Sequence, residues 1–455
     1  MANHEAGPTR RRAWLRPSTI LSAIALALIA GFVLFRVNQE RRLEAMREAI
    51  REAGYPASPQ ELAAWYAYPE GENAASYYLS ATQHINASPA ARYDVPIMGR
   101  VDAPHRSEPF PPEMLEASLE CLAANQETLD LLEVAASIPE CRYPIDLSLG
   151  YDAPLDHLVP LRQGARLLAL QAVVSAETGD PADAAKALTE TFAVARSLEN
   201  EPVLVSQLVR LSILNTGVEW LERVLGRCEL NNDQLRALDD VLAYAIERPG
   251  LIRGIARQRS FFMDSLYHQI DQIDPDTGEP WSAGEFGLVY APTGLLTSDI
   301  SFGLRWYDRV LDVLQLPPVE RHQASQLLKA DADSIPRVHV MSYLTLPTIS
   351  RTVDADVRTF AWLTLARTGL AVERFRVASG ALPDSLDQLV PTFLDSVPID
   401  PYDGAPLRYK RLPGGYVVYS IALNETDDGG ADMHEQKDAW RTGDLTFIVQ
   451  RSTSE

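Results

Sequence analysis

Cysteine is scarce: Cys121, Cys141 and Cys228 are the three in 455 residues. That excludes a disulfide-built scaffold, and with no C-x-x-C spacing it argues against a thiolate zinc site. Cys121 and Cys141, 20 residues apart, could pair if the body is exported. The other reading is three buried thiols acting as small hydrophobes. Positive charge is also short, 41 Lys and Arg against 62 Asp and Glu, a formal net charge of −21. A surface that acidic does not suit the phosphate backbone, so nucleic acid is not expected as a partner. Catalytic signatures are missing as well. The eight histidines are scattered, and no H-E-x-x-H, G-x-S-x-G, S-x-x-K or phosphate-loop pattern occurs. No catalytic or cofactor-binding residue is assigned, and the chain is expected not to be an enzyme.

One long apolar run is present. Ser18 to Phe35 holds 18 residues without a charge, ten of them Leu, Ile, Phe or Val. As a helix it spans about 27 Å, close to the hydrocarbon thickness of a bilayer. Its ten large apolar residues favour insertion by roughly 3 to 6 kcal/mol. Arg10, Arg11, Arg12 and Arg16 precede it, with Trp14 at the interface position. The sequence after the run, Val33-Leu34-Phe35-Arg36, is a poor signal-peptidase site, so an uncleaved signal-anchor is expected. Arg36, Arg41, Arg42, Arg47 and Arg51 follow the run, but Glu40, Glu44, Glu48 and Glu52 offset them at helical spacing. The compact upstream cluster therefore sets the expected orientation: N-terminus cytoplasmic, body on the outer, periplasmic side. Arg11-Arg12-Ala13-Trp14-Leu15-Arg16 also looks like a twin-arginine export signal.

Beyond the anchor the pattern is helical. Asn38 to Ala53 continues the first helix, Ser58 caps a second, and Asn73 to Thr82 is a third. Leu161, Ala165, Leu168 and Ala172 share one helix face. Asp180 with Pro181 reads as cap and first residue of the next helix. Pro202 opens another, and Asn231 with Gln234 makes a capping box. Leu161 to Leu198 resembles one tetratricopeptide unit, but further units at that period are lacking, so an irregular helical body is expected. Asp274-Pro275-Asp276-Thr277-Gly278 with Glu285 is similar to a calcium loop, yet its glycine comes one place early; it reads as a turn. Helix is expected again over Leu304–Leu314 and Glu320–Leu328.

From Asp354 the pattern changes. Asp354 to Ser379 is a long apolar-striped helix stopped by Gly380, and short strands are expected at Pro406–Lys410, Gly415–Ile421 and Thr446–Gln450. The expected fold is therefore mainly α, with an N-terminal transmembrane helix, a weakly tetratricopeptide-like body, and a small C-terminal α+β domain with a short antiparallel sheet. The expected divisions are a basic tail (1–17), the anchor (18–36), juxtamembrane helices and linker (37–110), a helical body (111–350) with a loop-rich insert (274–297), and the C-terminal domain (354–455).

In that last domain the order Gly380-x-Leu382-Pro383-x-x-Leu386-x-x-Leu389-Val390-Pro391, Pro398-x-Asp400-Pro401-x-x-Gly404-x-Pro406-x-x-Tyr409, Tyr419-Ser420 and an acidic Gly-rich loop resembles the globular part of the type II secretion major pseudopilin. The resemblance covers about 100 residues. The whole chain also resembles large uncharacterised bacterial envelope proteins. In the pseudopilin family the final loop binds calcium, and the resemblance carries this to Ile421 (by its carbonyl), Asn424, Asp427, Asp428 and Asp444. Asn424 stands where the family has an Asp, and an acidic insert, Ala431 to Thr442, divides the loop. Gly31-Phe32 lies inside the apolar run rather than before it, which implies a fused domain rather than a filament subunit. The expected function is a membrane-tethered envelope protein with a non-catalytic interaction or scaffolding role. Its expected partners are the lipid bilayer, through residues 18–36, and other envelope proteins. The alternatives are a component of a type II secretion or pilus-like system, and an envelope hydrolase without a recognisable motif.

Overall fold

The computed structural model describes residues 17–66, 71–86, 95–248, 250–271, 293–432 and 443–451. The twin-arginine segment, the 274–285 turn and residues 433–442 of the acidic insert lie outside them. The chain is mainly helical with one small three-stranded antiparallel sheet. In chain order the helices are α1 (Pro17–Glu52), α2 (Pro59–Trp65), α3 (Ala74–Gln83), α4 (Pro112–Ala123) and α5 (Gln126–Ser137). They continue as α6 (Leu158–Glu177), α7 (Pro181–Ser197), α8 (Leu204–Arg227), α9 (Asn232–Glu247) and α10 (Gly250–Asp271). The last three are α11 (Leu295–Gln315), α12 (Pro318–Ala332) and α13 (Val340–Ser379). The strands are β1 (Arg408–Leu412), β2 (Gly415–Ser420) and β3 (Leu445–Gln450), in that order across the sheet.

The local signals hold in atomic detail. Asp180 Oδ1 accepts from the Ala182 and Asp183 amides, and Pro181 opens α7. Asn231 Oδ1 accepts from Asp233 and Gln234, while Gln234 Oε1 accepts from the Asn231 amide, a closed capping box. Ser58 caps α2 through the Glu61 amide. Two helices begin earlier than their periodicity indicates. The expected Leu304 helix begins at Leu295, and the expected Asp354 helix begins at Val340 and runs through Pro347. Proline there is locally unfavourable. Burial of Leu346 and Ile349 on either side outweighs it. Cys121 and Cys141 are both buried free thiols, so the pairing between them is not made. Burial pushes the Cys141 thiol up to about 12, which keeps it protonated and unreactive.

α6 and α7 form an antiparallel pair, and α8 lays its apolar face over both. Gly217 makes this approach possible, because a Cβ there would meet the Phe192 ring at 2.4 Å. α13 crosses the other flank of α8, with the sheet against its second half. One apolar cluster therefore runs from Ala74 in α3 through α6–α9 to Val449 in β3. Gly226 lets the end of β3 seat on α8, where a Cβ would meet the Gln450 carbonyl oxygen at 2.7 Å. A second cluster joins α10, α11 and the start of α13 to Leu43 and Ile50 of α1.

α1 has two different halves. Its first half is apolar and uncovered: Leu21, Leu26, Leu28 and Leu34 are each about two-thirds exposed, at 67%, 67%, 69% and 69%. It is the one described helix long and apolar enough to cross a membrane. Its second half carries the alternating charges, with Arg36 bonded to Glu40 at 3.0 Å, and docks on α11 through Leu43 and Ile50. At the junction Gly294, just before α11, touches Phe35 and Arg36; a Cβ there would lie 3.0 Å from Arg36 Cδ.

Candidate functional site

The residues singled out for calcium fall near one another around the end of β2 and the start of β3, but their polar atoms serve the loop itself. Asp444 is buried; its Oδ2 accepts from the Gly430 amide at 2.7 Å and its Oδ1 from the Asp428 amide at 3.3 Å. Asn424 turns its Nδ2 to Asp428 Oδ2 at 2.9 Å, and its Oδ1 accepts from the Thr426 amide. Asp427 Oδ1 accepts from the Gly429 amide. Ile421 donates its amide to Asp400 Oδ2 at 3.0 Å. Among the described residues no group of three His, Cys, Asp or Glu side chains is arranged to hold a metal. The loop closes on its own hydrogen bonds, a fit poorer than the six to eight oxygens that calcium takes.

Asp400, which sequence reading placed only in the motif order that carries the pseudopilin resemblance, organises this region. It is fully buried and accepts from the Tyr402 and Ile421 amides, Ser420 Oγ and Arg408 Nη1, all within 3.0 Å. Burial raises its pKa, and those hydrogen bonds oppose the rise.

A concavity lies elsewhere. A cleft of about 720 Å³ opens between the Ile97–Arg106 segment, α6, α8 and Asp432. Its size is that of a small-molecule site. One wall is fixed by Arg223 of α8. Its guanidinium reaches Glu177 Oε1 at 2.9 Å and the carbonyls of Pro104 and Glu108 at 2.9 and 2.7 Å, and it stacks over Phe110. Arg227 binds the other oxygen of Glu177 at 3.1 Å. This saturated pair pins the non-helical 104–110 segment to α8, so the cleft has a preformed rim.

Inside the rim the polar groups are less well matched. Arg106 binds Asp432 Oδ1 at 2.9 Å through Nη2, while its Nη1 lies 3.4 Å from Glu222 and has no hydrogen bond. Glu222 is 3% exposed, and its Oε1 has no hydrogen-bond partner among the described residues. Burial pushes its carboxyl up to about 8, with Arg106 opposing and Asp432 adding to the rise. One helical turn away Glu219 is raised by burial, against the pull of Arg166 and Arg106. Burial likewise lowers Arg166, a half-buried guanidinium on α6 with no hydrogen bond or ion pair to a described residue. Trp220 adds an aromatic side to the cleft. A second cavity, about 430 Å³ between α8 and α13, opens on the other flank of Glu219.

A guanidinium without an ion pair among the described residues, two carboxyls whose pKa burial raises and an aromatic wall can together bind a polar ligand by hydrogen bonding. Sequence reading did not find this group. Arg106, Arg166, Glu219, Glu222 and Asp432 are scattered over more than 300 residues, and no spacing links them. The i,i+3 pair Glu219 and Glu222 on a largely buried helix is the one local signal. No family model, curated protein or solved structure matches this chain.

Proposed function

We propose that the chain is a single-pass, membrane-tethered cell-envelope protein. Its N-terminus is cytoplasmic, its body lies on the outer side, and its role is interaction or scaffolding rather than catalysis. One observation carries the reading: α1 leaves its apolar half uncovered while its charged half is packed into the body. An uncovered stretch of that length costs little only in lipid. The contact of Gly294 with Phe35 and Arg36, where the apolar run ends, holds the body close to the bilayer surface rather than on a loose tether. The C-terminal domain, pseudopilin-like in the order of its motifs, serves here as a fused module packed on α8.

The test is fractionation. Full-length protein should stay with membranes through alkaline carbonate and need detergent for release, and deletion of residues 1–36 should abolish this. A C-terminal alkaline phosphatase fusion should be active and a C-terminal fluorescent-protein fusion dark. Recovery of the intact chain in the soluble fraction would overturn the membrane assignment, and the opposite reporter pattern would reverse the orientation.

A further inference from the structure

We propose that the cleft between α6, α8 and the 97–106 segment binds a carboxylate-bearing sugar, its carboxylate on Arg166 and its hydroxyls on Glu219, Glu222 and Arg106.

The argument starts from unmet bonding capacity. A guanidinium presents a planar fork of donors matched to a carboxylate. Arg223 and Arg227 spend theirs on Glu177 and on backbone carbonyls. Arg166 lines the same cleft and has no such partner among the described residues. Beside it, Glu222 Oε1 and Arg106 Nη1 are buried without a hydrogen bond among the described residues. Leaving such groups unmet costs free energy, and a ligand that meets them recovers it.

The remaining lining selects the ligand class. A carboxyl kept neutral both donates and accepts, which suits a hydroxyl and does not attract a cation. Burial moves Glu219 and Glu222 in that direction. Trp220 offers an apolar face of the kind on which a sugar ring can rest. A nucleic-acid phosphate is disfavoured by the acidic chain, and a metal by the absence of a three-ligand cluster among the described residues. The cavity volume accommodates a mono- or disaccharide. This inference does not depend on the membrane reading: a soluble chain would carry the same cleft.

The experiment uses full-length protein in detergent, with calorimetry and thermal melting in D-glucuronate, D-glucose and inorganic phosphate. Glucuronate at about 10 mM is expected to raise Tm by a few degrees through mass action. Glucose should bind at least tenfold more weakly, because it lacks the charge. Arg166→Met should cost tenfold or more in glucuronate affinity. If Arg166→Met does not fold, Arg166→Lys keeps the charge, loses the fork, and should still weaken binding severalfold. The proposal is overturned by no glucuronate binding, by equal binding of glucose, by tighter binding of phosphate, or by glucuronate affinity unchanged in the folded Arg166 variant.

Discussion

His157 and Glu201 meet at 2.7 Å, Nε2 to Oε1, in a place where both side chains are sealed from water. Tyr143 stacks on the imidazole at 4.6 Å and its hydroxyl bonds Ser197. Gln207 ties the Leu198 and Glu201 carbonyls of the same turn. The other oxygen of Glu201 has no hydrogen-bond partner among the described residues, so the imidazole is its main compensation there. Removing one member of a buried pair strands the other. His157→Ala should cost about 3 to 5 kcal/mol in urea denaturation, and His157→Ala/Glu201→Gln should recover part of it. A loss under 1 kcal/mol would mean that water reaches Glu201.

Glu222 should make the protein lose stability as pH rises. Its folded-state pKa is raised to about 8 from the ordinary value of 4.5, first by burial. The folded protein therefore holds the proton more tightly than the unfolded chain. The neutral form is retained without penalty below about pH 4.5, and stability falls as pH climbs toward 8. The fall is limited to about 1.4 kcal/mol per pH unit, on the order of a few kcal/mol in all. Glu222→Gln should remove this slope, so that the variant gains on the wild type between pH 5 and 8. Parallel pH–stability curves would show that Glu222 titrates normally.

Gly369 and Phe447 set the distance between α13 and the sheet. A Cβ at 369 would lie 2.3 Å from Phe447 Cε1, and the Gly369 carbonyl accepts from Tyr416 Oη at 2.9 Å. Gly369→Ala should destabilise by about 1 to 3 kcal/mol despite the better helix propensity of alanine. Adding Phe447→Leu should restore part of the loss, a coupling measurable by a double-mutant cycle. Additive effects would place the ring elsewhere.

For the acidic loop, the geometry separates structure from cation. Asp444 accepts two backbone amides, so Asp444→Ala should cost about 1 to 3 kcal/mol through the loss of two hydrogen bonds to a carboxylate. The loss should be the same in chelator and in millimolar calcium. A Tm of the full-length protein that rises with calcium, and no longer does so in Asp444→Asn, would instead establish the cation reading carried by the pseudopilin resemblance.

Much of the architecture is visible in neighbouring residues. The apolar run of α1, the Asp180 and Asn231 caps and the Gly415–Ser420 strand each depend on interactions within a few positions. α13 shows the limit: Pro347 argues locally for a boundary, and burial of Leu346 and Ile349 carries the helix through it. Asp400 shows another, since its Pro398–Gly404 motif is visible while its bonds to Ser420 and Ile421 are made across the domain.

The sequence by itself determined that one helix suits lipid, that the body is helical, and where the capped helices at Pro59, Pro181 and Asn232 start, because hydropathy and capping are local. Only the tertiary structure decided where the unmet polar groups are. Arg106, Arg166, Glu222 and Asp432 acquire their character from burial beside one another. Desolvation is a property of the packed cleft, not of any residue's neighbours along the chain.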